Sequence, residues 1–413
     1  MTAAGGTVRF GSCDAERQWR PQGLAQLPAL RDPHAERLLS GMDELLAALC
    51  RPGDVLLTHH RPPAAFTEMM HAAGFGARHL PVPGPTGRPV EERLAAHGMD
   101  TAGLAGLACA PYAVLPSTRA ALTRMGLEGQ QPDAGTVRRV NSKTFSTRLG
   151  FPGSGVVVTS ADELRAAAAG APCVVKDPYG VSGQGNFVVE TAAKLDRLLR
   201  ALARREDRIE FVVQPLYERA ADFVTHLDIG PAGQVTWHGT RELVNEGHSF
   251  RGSGPAGAAL LAQLDRTGYR GTVEAVADAV AAAGYHGPLA VDSMTTTSGE
   301  LVPVLEVNAR FSPALIAARL GVRLRMAFVP VADDDYFERL VHALSDAGLL
   351  AGDDRPGILP LAASTLAPPR GWLFYGIFSD REDGTEPDLA PVLNGLAPRT
   401  GPVGTAAHHL EGT

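Results

Sequence analysis

The feature that narrows the possible folds most is a short apolar strand running straight into a glycine-rich turn, Val174-Val-Lys-Asp-Pro-Tyr-Gly-Val-Ser-Gly-Gln-Gly-Asn186. Lys176 ends the strand, and Gly180, Gly183 and Gly185 follow. Glycine reaches backbone angles closed to other residues, so such a turn can aim successive N–H groups at one point while the lysine sets a positive charge beside it. That combination suits phosphate oxygens. It is not a Walker A loop, because the lysine precedes the glycines and no Gly-Lys-Ser/Thr follows them. Taken alone the stretch is more often an ordinary hairpin, and the rest of the chain has to decide.

With 413 residues there is room for two or three domains. The first 140 or so alternate helix-like and strand-like runs: Ala35 to Cys50 amphipathic, Asp54 to Thr58 short and apolar, Ala64 to Ala73 helical. That rhythm predicts an open α/β sheet. Gly126 to Gly135, rich in Gly, Gln, Pro and Asp, reads as the first boundary. A helix from Asn141 to Leu149, strands ending at Asp177 and spanning Asn186 to Glu190, a helix from Ala192 to Arg204 and a strand Phe211 to Pro215 make a second module. A third has strands Asp222 to Ile229 and Gln234 to His238, a loop Asn245 to Gly257, a helix Thr272 to Ala283, and strands Pro288 to Ser293 and Glu300 to Val307 joined by a Ser298-Gly299 turn. A helix Asp335 to Ala347, a strand Gly371 to Phe378 and a polar tail remain.

Hydrophobic residues make up 45% and charged residues 20%, and no apolar run approaches the roughly 18 residues of a membrane span, so the chain reads as globular and not membrane-inserted. Lys and Arg number 38 against 45 Asp and Glu, a net charge of −7, with no basic block; a nucleic-acid footprint is not expected. Cys13, Cys50, Cys109 and Cys173 are too widely spaced for a C-x-x-C site, and Met1 to Cys13 lacks the apolar run of a signal peptide. A reducing cytoplasm fits.

A second chemical feature is Asp292, with Glu306 and Asn308 downstream in Leu305-Glu-Val-Asn-Ala-Arg310. In neighbouring antiparallel strands, residues two apart share a face, so Glu306 and Asn308 project together and Asp292 can lie opposite them. Two carboxylates and an amide oxygen are hard donors suited to Mg²⁺ held together with substrate phosphates. Isolated carboxylates more often mark a solvated hairpin face. Acids embedded in Leu289-Ala-Val and Val302-Pro-Val-Leu, however, are costly to desolvate unless something cationic is near.

From about Val140 to Ser312 these parts, in this order, resemble the ATP-grasp ligases. In that resemblance Lys143 and Lys176 are the two lysines that reach the nucleotide phosphates, and Gly180, Ser182, Gly183 and Gly185 belong to the mobile phosphate loop. Gln214 and Leu216 stand on the strand that meets adenine, Asp222 stands where an acid holds the ribose, and Asp292, Glu306 and Asn308 match the metal ligands. Arg310 matches the arginine of a Glu-x-Asn-x-Arg pattern. The resemblance implies an N-terminal open α/β (pre-ATP-grasp) domain over 1–139, ATP-grasp lobes over 140–220 and 221–329, and a small C-terminal α+β segment over 330–413. It implies ATP as cosubstrate with Mg²⁺, two ions, for which Mn²⁺ can substitute. The activity implied is a carboxylate–amine ligase forming an amide through an acyl phosphate, with release of ADP and phosphate, on amino-acid or peptide substrates. Transfer to a carrier-protein thiol and a non-catalytic ATP-binding module are the rival readings.

Gln214 replaces the commoner glutamate, and Ala290 stands where D-alanine ligase types have an arginine, so oxyanion stabilisation falls to Arg310 and Arg251. The N-terminal region and the C-terminal strand with Trp372 and Tyr375 are similar to the pheganomycin-type peptide ligases of bacterial natural-product pathways. Arg241, Glu242, His248, Arg251 and Ser253 cluster in or beside the loop Asn245 to Gly257, a candidate substrate loop or a plain exposed one. His59-His60 follows a strand of the open sheet, while His408-His409 reads as solvated. A homodimer is the default oligomer.

Overall fold

Parallel pairing organises the N-terminal third. The structure, a computed structural model, describes residues 5–28, 32–85, 87–96, 99–127, 129–180, 185–204, 208–247, 249–353, 355–378 and 385–397. Strands β1 (Thr7–Phe10), β2 (Asp54–Thr58), β3 (Ala77–Pro81) and β4 (Ala108–Pro111) form a sheet in the order β3-β2-β1-β4, every neighbour parallel. Its middle is covered on both faces, as a parallel sheet requires. Val55 and Leu57 join Val8, Phe10, Leu94 and Leu122 in one apolar cluster, while Leu56 joins Phe66 and Met70 in another. The carboxyl ends of β1 and β4 lead to Ser12, Cys13, Asp14 and Tyr112, at the edge where such sheets present ligand-facing residues.

The single helix expected over Ala35 to Cys50 is an α-helix only across Pro33–Ser40 and continues as a 3₁₀-helix across Gly41–Leu49. Two contacts account for the tightening. A Cβ at Gly41 would lie 2.7 Å from the Ser364 carbonyl carbon, and the buried Glu44 carboxylate accepts the Ala363 and Ser364 N–H groups at 2.6 and 2.9 Å.

The second sheet joins β5 (Val156–Val158), β6 (Cys173–Lys176), β7 (Asn186–Val189) and β8 (Phe211–Pro215) in the antiparallel order β5-β8-β6-β7. The helix Ala192–Leu202 covers it with Leu195, Leu198, Leu199 and Leu202, an i, i+3, i+4, i+7 stripe that meets Val175, Phe211 and Val213. Thr191 caps that helix by accepting the Lys194 N–H at 3.3 Å.

The third sheet is the largest. It contains β9 (Arg219–Ile229), β10 (Val235–Glu246), β11 (Ser249–Pro255), β12 (Gly287–Thr296), β13 (Leu301–Asn308), β14 (Arg323–Pro330), β15 (Gly357–Pro360) and β16 (Arg370–Phe378), ordered β13-β12-β9-β10-β11-β14-β16-β15. All its neighbours are antiparallel. The helix Tyr269–Ala282 lies on one face, where the Tyr269 hydroxyl meets Ser293 Oγ at 2.8 Å and Thr225 Oγ1 at 3.2 Å. The opposite face carries Asp222, Val224, Ala290 and Asp292, because successive residues of a strand point to opposite sides.

One expectation is corrected here, and one strand is new. The loop over Asn245 to Gly257 is a hairpin, the end of β10 turning into β11. Its glycines look loop-like, but Gly252 answers to close packing: a Cβ there would overlap the Leu324 carbonyl of β14. β14 itself had no sequence expectation, and it is the strand that ties β15 and β16 into the same sheet as the hairpin. None of the described helices is long and apolar enough to cross a membrane.

Candidate active site

Strand register assembles the acidic centre. Asp292 on β12 is the direct cross-strand partner of Glu306 on β13, and Ala290 is the partner of Asn308, so the three polar side chains share one face. The Asn308 amide donates to Asp292 Oδ2 at 3.0 Å and to Glu306 Oε1 at 3.4 Å. Lys143 opens the helix Lys143–Arg148, whose first turn is fixed by Ser142 Oγ accepting the Thr144 N–H. From there its ammonium reaches Glu306 Oε2 at 2.9 Å and donates to the Gly180 carbonyl at 2.8 Å. Lys176 is buried at the end of β6 and has no hydrogen-bond or ion-pair partner among the described residues.

The charges are strongly interdependent. Burial alone would raise the Glu306 carboxyl, but Lys143 and Lys176 overcome it and hold the group down at about 2. Burial, and then the negative charge of Glu306, push Asp292 well above the ordinary carboxylate range. Burial would lower Lys143, yet Glu306 keeps it raised, whereas Lys176 is pulled down to about 8 by burial with Lys143 adding to the effect and Glu306 opposing it. The two carboxyls are thus driven apart, Glu306 towards its charged form and Asp292 towards its neutral one. A divalent cation fits such donors because it supplies the charge that would let both acids ionise.

Arg310 is brought to this centre. Its Nη2 donates to Asn308 Oδ1 at 3.2 Å, its Nη1 to the Phe311 carbonyl at 2.9 Å, and its Nε to Glu16 Oε1 at 2.7 Å, with Nη2 also on that oxygen. Glu16 sits in the helix Ala15–Trp19 that follows β1, so the N-terminal sheet reaches directly into the acidic centre. The sequence reading missed Glu16, and no local signal marks it. At the base of the glycine turn, Asp177 pairs with Arg20, accepts the Tyr179 N–H at 2.9 Å and donates its own N–H to the Gly185 carbonyl at 2.7 Å. Gly185 has φ 92°, and a Cβ on it would lie 2.9 Å from Gly180 Cα, so glycine is required twice over at that crossing. Ser182, Gly183 and His248 lie outside the described residues, as does His408-His409.

Two spaces whose linings share Lys176, Arg219 and Leu305 open around these groups. A slot of about 160 Å³ is lined by Val174, Lys176, Gln214, Leu216, Tyr217 and Met294, between the second and third sheets. The Gln214 amide donates to the Gly153 carbonyl at 2.6 Å, and the Leu216 N–H is taken by the Pro172 carbonyl at 3.1 Å, so each faces the slot with what remains of its polar groups. Arg219 lines both spaces and pairs with Asp222 at 3.3 Å; Asn245 donates to Asp222 at 2.8 Å. Sequence reading named Asp222 without either partner. The larger cavity, about 420 Å³, contains Lys143, Lys176, Asp292, Glu306, Asn308 and Arg310 in its lining.

Other candidates are placed elsewhere. The Arg251 guanidinium lies 3.9 Å from the Phe328 ring centroid and its Nε donates to Glu246 at 2.8 Å, so it is not brought to the acidic centre with Arg310. Arg241 and Ser253 are buried and bonded to each other, and Glu242 accepts the Gly257 N–H at 2.9 Å. His59 is held by Asp43 at 2.8 Å and His60 by Ser40 at 2.8 Å, inside the N-terminal unit.

No protein-family model matches the chain. Over 304 residues it is 24% identical to a [butirosin acyl-carrier protein]–L-glutamate ligase of Niallia circulans, covering 70% of this chain and 69% of that one. Among solved structures it is similar to an N5-carboxyaminoimidazole synthase of Aspergillus clavatus in complex with ADP and 5-aminoimidazole ribonucleotide, with a TM-score of 0.53 at 12% identity over 95% of this chain and 98% of that one. It is similar also to the biotin carboxylase domain of the Hydrogenobacter thermophilus 2-oxoglutarate carboxylase, with a TM-score of 0.52 at 15% identity over 91% and 86% of the two chains. A parallel N-terminal sheet, a small antiparallel sheet beside the slot, a large antiparallel sheet carrying the acidic centre, and these likenesses lead to one conclusion: the chain has the fold of the ATP-grasp ligases.

Proposed function

We infer that the chain is an ATP-dependent carboxylate–amine ligase that works through an acyl phosphate and releases ADP and phosphate, on an amino acid or peptide in a natural-product pathway. The observation that carries this reading is the meeting of Lys143, Lys176, Asp292, Glu306, Asn308 and Arg310 in one cavity that adjoins a separate slot of a size for a planar ring. Transfer of a phosphoryl group to a carboxylate brings two anions together, so charge neutralisation and positioning dominate the barrier. In this reading Lys143 and Lys176 face the phosphates, Gly180, Ser182, Gly183 and Gly185 cover them, and Gln214, Leu216 and Asp222 receive the nucleoside. Residues 140–220 and 221–329 are then the two lobes that hold the nucleotide.

Asp292, Glu306 and Asn308 would hold Mg²⁺, as two ions with Mn²⁺ able to substitute; when bound, the metal neutralises charge on the phosphate oxygens. Asn308 now turns its nitrogen to both acids and its oxygen to Arg310. With that oxygen on a cation, Arg310 would give up its Asn308 contact while Glu16 and the Phe311 carbonyl keep it in place, and its Nη groups would hold the substrate carboxylate. A carboxylate oxygen bonds to the γ-phosphorus as the bond to the β–γ bridging oxygen breaks and ADP leaves. The amine nitrogen then bonds to the acyl carbon, the acyl–oxygen bond breaks, phosphate leaves, and the nitrogen gives up a proton. No protein nucleophile is needed. The four free cysteines fit a reducing cytoplasm.

A second reading replaces the amine by a carrier-protein thiol. It is favoured by one observation, the relative whose stated activity joins L-glutamate to an acyl-carrier protein. Incubation with Mg-ATP, hydroxylamine and pooled amino acids, read by mass spectrometry, tests both. ADP together with a hydroxamate is the expected result. AMP overturns the mechanism, and tight ATP binding without any nucleotide product favours the non-catalytic module.

A further inference from the structure

The cavity that holds the acidic centre does not end there. Phe250, Met326, Phe328, Trp372 and Phe374 line the same cavity. Met326 is the direct cross-strand partner of Phe374, and Phe328 is the partner of Trp372, so these four side chains form a block on one face of β14 and β16. Register carries that face back to the acidic centre. Met294, Asp222, Leu243, Ser253 and Leu324 follow one another as direct partners across five strands, and Asp292 and Met326 each stand two residues from an end of that row. One face of one sheet thus runs from carboxylates and lysines at one end to an apolar, aromatic wall at the other.

Among the described residues the wall is covered only in part, with Phe374 buried and Phe328 left open. Phe328 is 52% exposed, an unusual state for a large apolar side chain inside a cavity lining. Arg251 lies on the Phe328 ring and pairs with Glu246, and Arg17, elsewhere in the cavity lining, pairs with Glu36 at 3.0 Å. An acidic group reaching this end would meet rings and thioether and no unpaired arginine of that pair. Four strand spacings of about 4.8 Å separate β12 from β14, roughly 19 Å along the sheet. An extended residue spans at most about 3.6 Å, so a single amino acid cannot touch both ends.

We propose that this wall is the acceptor subsite of the ligase inferred above, and that it takes an aromatic or large aliphatic side chain of an extended peptide whose amino terminus attacks at the acidic centre. The proposal rests on that ligase reading and adds the class of its second substrate. The fold supplies the reason for an extra strand pair: β14 and β16 prolong the sheet beyond the residues that face phosphate, giving a long acceptor a surface to lie on.

The test uses the full chain with Mg-ATP and separates the two halves of the reaction. Hydroxylamine as acceptor reports activation alone, since it is too small to touch the wall. Penta- and hexapeptides of glycine ending in Phe, Leu, Gly or Glu, long enough to span roughly 19 Å, then report the acceptor step by mass spectrometry. The expected result is a KM roughly ten- to a hundredfold lower for Phe or Leu peptides than for Gly or Glu peptides of the same length, the factor that burying one such side chain supplies. Phe328→Ser and Trp372→Ser should erase that difference and leave hydroxamate formation unchanged. Equal KM values across the series overturn the proposal, as does loss of hydroxamate in a folded Phe328→Ser variant. Wall-dependent acylation of pantetheine with no peptide acylated overturns the peptide as occupant. If no hydroxamate forms with any carboxylate, the ligase reading fails first. The wall is then tested by titrating the emission of Trp372 with the same peptides against Trp372→Phe, where no response to Phe or Leu peptides sinks it.

Discussion

Glu16→Gln tests whether the N-terminal sheet helps to build the acidic centre. The Glu16 and Arg310 side chains are 6% and 11% exposed, and Glu16 Oε1 receives both Nε and Nη2 of the arginine. Breaking a buried pair by removing one partner typically costs about 3–5 kcal/mol, because the other charge is left uncompensated. Two features reduce that figure. The glutamine keeps an oxygen for the guanidinium, and Arg310 retains the Phe311 carbonyl and Asn308 Oδ1. We expect a loss of about 2 kcal/mol, measured by urea unfolding followed by far-ultraviolet circular dichroism. A cycle with Arg310→Met and the double variant isolates the pair. A coupling of at least about 1 kcal/mol is expected for residues in direct contact, against roughly 0.5 kcal/mol or less for independent sites. Additive losses would refute the reasoning, and the N-terminal sheet would then be a neighbour of the centre without a part in it.

Three further expectations follow from the same geometry. Glu306→Gln should lower turnover at least about a hundredfold while the unfolding midpoint stays close to wild type; wild-type turnover in a folded variant removes Glu306 from the proposed metal site. Lys176→Ala should weaken the thermal stabilisation given by ATP, a tenfold poorer Kd reducing it by about 1.4 kcal/mol at saturation, and an unchanged shift by differential scanning fluorimetry counts against a phosphate contact. Glu91 is fully buried, neither of its oxygens has a partner among the described residues, and burial raises its carboxyl from 4.5 to about 7. A raised carboxyl favours the folded state below pH 4.5 and loses that advantage as pH rises towards 7, a swing of up to about 3 kcal/mol. Glu91→Gln should therefore raise the unfolding midpoint more at pH 8 than at pH 5, and an equal gain at both would exclude titration of Glu91 as the cause.

The divergence between this chain and its curated relative bears on substrate choice. The two are 24% identical, and in this chain the wall of Phe250, Met326, Phe328, Trp372 and Phe374 stands on β11, β14 and β16, away from the strands of the acidic centre. Specificity sits on such surfaces because they meet the variable parts of substrates and leave the phosphoryl chemistry alone.

Most of the acidic centre and the elements that carry it were legible from residues close together in the chain. Glu306 and Asn308 share a face because a strand alternates sides, Lys176 precedes its glycines within one strand and turn, and the Leu195–Leu202 stripe repeats with the helical period. The hairpin of Gly252 and the 3₁₀ turn at Gly41 were not legible, since each answers to backbone from a distant segment, Leu324 and Ser364. Only the tertiary structure decided that Arg310 meets Glu16, that Arg251 lies on Phe328 instead, and that β14 and β16 extend the cavity with an aromatic wall. Period and propensity act over a few residues, whereas those pairings join groups up to 294 positions apart, and their partners are selected by packing in the folded chain.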